Sequence, residues 1–150
     1  VAVTSKKYYH FIRKRAESET TKYRSDMYVK REEENAWMVD LYKHWNIDTA
    51  ETREFLARRY IERVVGCVEN ITNNNCNLSK SEKKQEIQKM ISDYKAQNAV
   101  KIAQPKSKYM KMILLPIKWE NATFTYLEGC LISMAKSNNT KLFAKLKANR

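Results

Sequence analysis

A chain of 150 residues with 43% hydrophobic and 31% charged content suits one globular domain with a single core. Two glycines and two prolines leave long stretches of helix-forming residues unbroken, which favours an all-α fold and excludes glycine-rich loops that cradle phosphates. The net charge of +12 is uneven: 1–31 hold nine Lys/Arg against three acids, 32–100 ten against twelve, and 101–150 ten against two, so an anionic partner meets the ends first.

The opening stretch, KKYYHFIRKRAESETTKYR over 6–24, departs from helical periodicity. Tyr8, His10 and Ile12 alternate with Tyr9, Phe11 and Arg13, as in a strand apolar on both faces, and a loop rich in Glu, Ser and Thr follows. A lone strand cannot satisfy its edges, so its sheet partners are expected to lie outside this chain. The start at Val1 is likewise read as the cut end of something longer.

Helical spacing begins near Ser25 and runs to about Trp45, with Trp37, Met38, Leu41, Tyr42 and Trp45 on one face. Glu32, Glu33 and Glu34 point in different directions and read as a solvated face rather than a metal cluster. Asp48 followed by Glu51 predicts a helix start, after which Leu56, Tyr60, Val64, Val68 and Ile71 form the stripe of the longest core helix. Ser79 and Glu82 predict a capping box for a helix whose inward side is Ile87, Met90, Ile91 and Tyr94. QNAVKIAQ adds one or two turns before Pro105, and Ser107 opens KYMKMILLPIKW, which Pro116 must end or kink. Asn121 caps a helix predicted to turn Phe124, Leu127, Leu131 and Met134 inward, and Thr140 opens a last short one. The sum is an irregular bundle of five or six helices over 25–150, after a short N-terminal segment over 1–24.

Chemical motifs are scarce. Cys67, Cys76 and Cys130 are odd in number and lack a C-x-x-C pair, which points to free thiols in a reducing cytosol. Cys67 with His44 could be imagined as a nucleophile and base, but both sit in or beside apolar stripes. N-x-[ST] sequons at Asn70, Asn77, Asn121 and Asn138 are explained more simply by helix capping than by glycosylation. No nucleic-acid reading motif accompanies the basic ends, so nucleic acid is not expected as a partner. Leu142, Phe143 and Leu146 opposite Lys141, Lys145 and Lys147 allow peripheral contact of the basic C-terminus with an anionic membrane, or docking on the bundle. At least two of Trp37, Trp45 and Trp119 are assigned to the core or to an interface, because each neighbours an apolar stripe.

Tyr8-Tyr9-His10-Phe11-Ile12-Arg13-Lys14-Arg15, followed by Ala16-Glu17-Ser18-Glu19-Thr20-Thr21, resembles the segment that closes the catalytic domain of bacterial family 2 glycosyltransferases. The C-terminal portion from Met110 onward looks like the helical tail of streptococcal members that build capsule or glycosylate serine-rich adhesins. Where relatives often place Pro-Gly before the serine, this chain has Ala16-Glu17. The resemblance implies a GT-A catalytic domain upstream, with a D-x-D motif, a nucleotide sugar and a divalent metal. No D-x-D occurs in this chain, so no cofactor is expected within it, no catalytic residue is assigned, and it is expected to be inactive alone. The helical domain then binds the acceptor, a glycan or glycoprotein, and works beside its own catalytic domain in the cytoplasm, at or near the inner face of the membrane. Candidate acceptor-binding residues are Tyr8, His10, Arg13, Arg15, Ser18 and Trp37. The alternative is a helical module holding the enzyme in a homo-oligomer, motivated by the amount of aromatic and methionine surface in a small bundle.

Overall fold

The computed structural model describes residues 22–138, with side chains through 135, and the regular elements among them are six helices. They are α1 (Met27–His44), α2 (Ala50–Ile71), α3 (Lys80–Ser92), α4 (Tyr94–Ile102), α5 (Lys108–Lys118) and α6 (Ala122–Asn138). The fold is therefore an all-α bundle, as the composition requires. The strand read over 8–13 and the short helix after Thr140 lie outside the described residues.

The longest helix, α2, forms the axis of the bundle and packs against α1, α3, α4 and α6. Its stripe of Tyr60, Ile61, Val64, Val68 and Ile71 is buried, and it meets Ile87 and Ile91 of α3, Val100 of α4 and Ile113 and Ile117 of α5 in one continuous core. Trimming a fully enclosed member such as Ile91 to alanine removes about 2–5 kcal/mol, because the neighbours cannot collapse into the space.

Local chemistry sets the helix ends. Ser79 and Glu82 form the capping box: the Ser79 Oγ accepts from the Glu82 N–H at 3.3 Å, and the Glu82 carboxylate accepts from the Ser79 N–H at 2.7 Å. Ser107 accepts from the Met110 N–H and Asn121 from the Phe124 N–H, as predicted. For α2 the cap is Thr49, accepting from Thr52, and not Asp48, which instead pairs with Arg53 at 2.9 Å.

Two expectations fail at α3 and α6. Asp93 takes an extended conformation (φ −60°, ψ 138°) and accepts from the Lys95 N–H, so it ends α3 and caps α4 together. The reset turns Tyr94 outward, 82% exposed, where an uninterrupted helix would have buried it. Gln97 then reaches back and donates to the carbonyls of Ile91 and Ile117, at 2.6 and 2.8 Å, joining the ends of α3 and α5. On α6 the inward face is Thr125, Gly129 and Ile132, whereas Phe124, Leu127, Leu131 and Met134 face solvent, each exposed by half or more. The cause is room: a Cβ on Gly129 would stand 2.8 Å from Thr72 Cγ2 and 3.0 Å from Val68 Cγ1, so α6 approaches α2 through its small residues.

Two helices close through a left-handed residue that is not glycine. Asn46 and Glu120 both adopt φ 52°, and in each case the following N–H returns to a carbonyl five residues back, Ile47 to Tyr42 and Asn121 to Pro116. Pro116 sits inside α5 and removes one helical hydrogen bond, and the helix ends two residues later at Lys118.

Candidate functional site

Trp37 is the one sequence-predicted site residue within the described part. Tyr8, His10, Arg13, Arg15 and Ser18 lie outside it. Trp37 is 71% exposed on α1, and Leu41 and Trp45, four and eight residues on, extend the same outward side. None of the three tryptophans is core: Trp45 is 56% and Trp119 67% exposed, so the core assignment is corrected and surface roles remain.

Position four apart on a helix accounts for this face, and α1 itself buries no residue completely. Met38 and Tyr42 turn toward α2 and are half-buried. Tyr42 meets Trp45 edge-on with ring centroids 6.3 Å apart and also contacts Phe55 of α2, over which the Arg58 guanidinium lies at 5.7 Å. Trp45 is thus steadied from behind while its outer surface stays open. Asp40, Lys43, His44 and Asn46 border it with exposed donors and acceptors, Asp40 and Lys43 paired at 3.7 Å.

A polar junction on the inward side fixes α1. Glu32 accepts from the Tyr60 hydroxyl at 2.7 Å and from Lys95 at 2.6 Å, tying α1 to α2 and α4 at once. Glu34 pairs with Arg31 at 2.6 Å and lies 3.8 Å from Arg63 of α2. The three consecutive glutamates do point apart, but the solvated reading holds only for Glu33; Glu32 and Glu34 are partly buried and bonded. Burial, reinforced by the hydrogen bond to Glu32, holds the Tyr60 proton far above the ordinary tyrosine range, and burial next to Glu32 pushes Tyr28 up to about 12. The hydrogen bond from Lys95 to Glu32 raises the Lys95 pKa. Tyr60 and Tyr28 therefore keep their protons and Lys95 its charge through the neutral range, so these three serve as fasteners rather than as acids or bases.

The cysteine possibility does not survive the geometry. Cys67 is enclosed in the core and burial pushes its thiol up to about 12, while His44 is exposed at the end of α1. All three cysteines are free thiols. One carboxyl does titrate near neutrality: Glu128 on α6, pushed up to about 7 by burial, with Oε2 lacking a hydrogen-bond partner. It lines a small apolar recess with Val68, Ile113 and Ile117, beside Glu69. Among the described residues, no three His, Cys, Asp or Glu side chains gather as metal ligands, and no helix is long and apolar enough to cross a membrane.

Two sequons turn out to have structural work. Asn121 caps α6, and Asn70 exchanges two hydrogen bonds with the backbone of Arg24, pinning the segment before α1 to the end of α2. No family model, curated protein or solved structure matches this chain.

Proposed function

We propose that this chain is the helical acceptor-binding domain of a cytoplasmic family 2 glycosyltransferase, acting beside a catalytic domain that holds the nucleotide sugar and its metal. The observation that carries the reading is the exposed Trp37–Leu41–Trp45 side of α1, rimmed by Asp40, Lys43, His44 and Asn46. Indole faces stack on the apolar side of a sugar ring while neighbouring polar groups bond its hydroxyls. The Glu32 junction supports it further, because a rigidly held helix presents such a face without an ordering cost. The opening motif with Arg13, Arg15 and Ser18 supports the family assignment.

Binding of glycans and glycopeptides to the 150-residue chain, measured on an array and by titration, tests this directly. Trp37→Ala and Trp45→Ala are expected to abolish binding without loss of helix content, and full-length enzyme lacking 25–150 is expected to lose transfer to its acceptor. Undiminished transfer after that deletion refutes the reading.

A second reading, an oligomerisation module, draws on a separate observation: the large apolar side chains of α6 lie outside while its small ones pack inside. Light scattering decides it, since a strict monomer at high concentration ends that possibility.

A further inference from the structure

The outward side of α5 combines apolar bulk with uncompensated positive charge. On α1 and α2 the cations largely answer an acid nearby: Lys30 to Asp26, Arg31 to Glu34, Arg53 to Asp48, Arg58 to Glu54 and Arg59 to Glu62. The sequence of α5, KYMKMILLPIK, contains no acid, and among the described residues its Lys108, Lys111 and Lys118 make no ion pair.

Helical spacing places Lys108, Lys111, Met112, Leu115, Lys118 and the adjoining Trp119 along one side. Met112 is 62% and Trp119 67% exposed, and Leu115 lies between them, also exposed. The opposite side, Met110, Ile113, Leu114 and Ile117, is locked in the core, so α5 cannot roll to hide this stripe. The side chains are therefore held permanently outward, with cations along an apolar ridge that ends in an indole.

We propose that this face of α5 is a docking surface for an anionic lipid bilayer. A negatively charged headgroup layer neutralises Lys108, Lys111 and Lys118 and takes Met112, Leu115 and Trp119 into its boundary with the acyl chains. Charge also selects this occupant over a second copy of the chain. A two-fold dimer through the same stripe would set the lysines against their own copies, whereas an anionic surface gains from each of them. The α6 stripe, whose outward residues are uncharged, carries no such preference for anions.

Sedimentation of the 150-residue chain with vesicles of equal parts phosphatidylcholine and phosphatidylglycerol, against phosphatidylcholine alone, tests the proposal. Retention on the mixed vesicles is expected, with weakening by added salt and a loss of about tenfold or more in the Lys111→Glu, Lys118→Glu double variant. Leu115→Ser with Trp119→Ser is expected to weaken retention too, and because these positions are exposed the helix content should stay that of the parent. Absence of retention, or equal retention on neutral vesicles, overturns it. So does undiminished retention of the double variant, which would assign binding to other basic residues such as Lys141, Lys145 and Lys147. A concentration-dependent dimer dissolved by Leu115→Ser would give the face to a second copy instead and likewise overturn the proposal.

Discussion

The two glycines of this chain sit in helices and should respond oppositely to the same substitution. At Gly66, in α2, an added methyl would find Met27 Cε at 3.9 Å, an ordinary contact. Gly66→Ala therefore collects the helix-propensity gain unopposed, a stabilisation of about 0.5–1 kcal/mol. At Gly129, in α6, the methyl would meet Thr72 Cγ2 and Oγ1 at 2.8 Å and Val68 Cγ1 at 3.0 Å. Thr72 cannot swing aside cheaply, because its hydroxyl donates to the Val68 carbonyl at 3.0 Å and lies 3.2 Å from the Ser133 hydroxyl. Overpacking of this kind costs about 1–3 kcal/mol, so after the same propensity gain Gly129→Ala should be destabilising by about 0.5–2 kcal/mol. Urea unfolding followed by helical circular dichroism measures both, and the variants should bracket the parent. Thr72→Ser removes one of the opposing methyls and should recover part of the loss in the double variant, a coupling that distant sites would not show. A Gly129→Ala protein as stable as the parent would refute the close approach of α6 to α2.

Other outcomes follow from particular contacts. Glu128 has a folded pKa of about 7 against an ordinary 4.5, so the folded state binds the proton more tightly and stability falls as pH rises between those values. Because the carboxyl is partly solvated, the loss is set at about 1–2 kcal/mol, and Glu128→Gln should flatten the pH profile of urea midpoints. Tyr60→Phe leaves Glu32 without one of its two donors and should cost about 1–2 kcal/mol, measured in the same assay. Glu120→Gly relieves a left-handed backbone at φ 52° and should stabilise by about 1 kcal/mol, seen as a higher thermal midpoint.

The parts of the fold legible in the sequence are those governed by local chemistry. Ser79 with Glu82, Ser107 and Asn121 cap as their side chains dictate, and the α2 stripe is buried because it repeats over many turns and has partners on several sides. Asp93 is also a local signal, yet it lies inside an unbroken apolar spacing that masks the helix break. On α6 the ranking of side chains by apolarity points the wrong way, since the space beside Val68 and Thr72 admits only small groups; Gly129 was the available sign of close packing. Trp37 was legible as a candidate, but its exposure depends on which side of α1 meets α2. The Glu32 contacts with Tyr60 and Lys95 span 28 and 63 residues of sequence, beyond the reach of any local pattern.

The exposure of Trp37, Trp45 and Trp119 also governs how this protein can be watched. An indole already in water shifts its emission little when the chain unfolds, so intrinsic fluorescence should be a poor reporter of folding here. The same indoles should brighten or move to shorter wavelength when a sugar, a lipid or a second chain covers them. Spectroscopically this bundle is built to signal contact with its surroundings and to stay nearly silent about its own assembly.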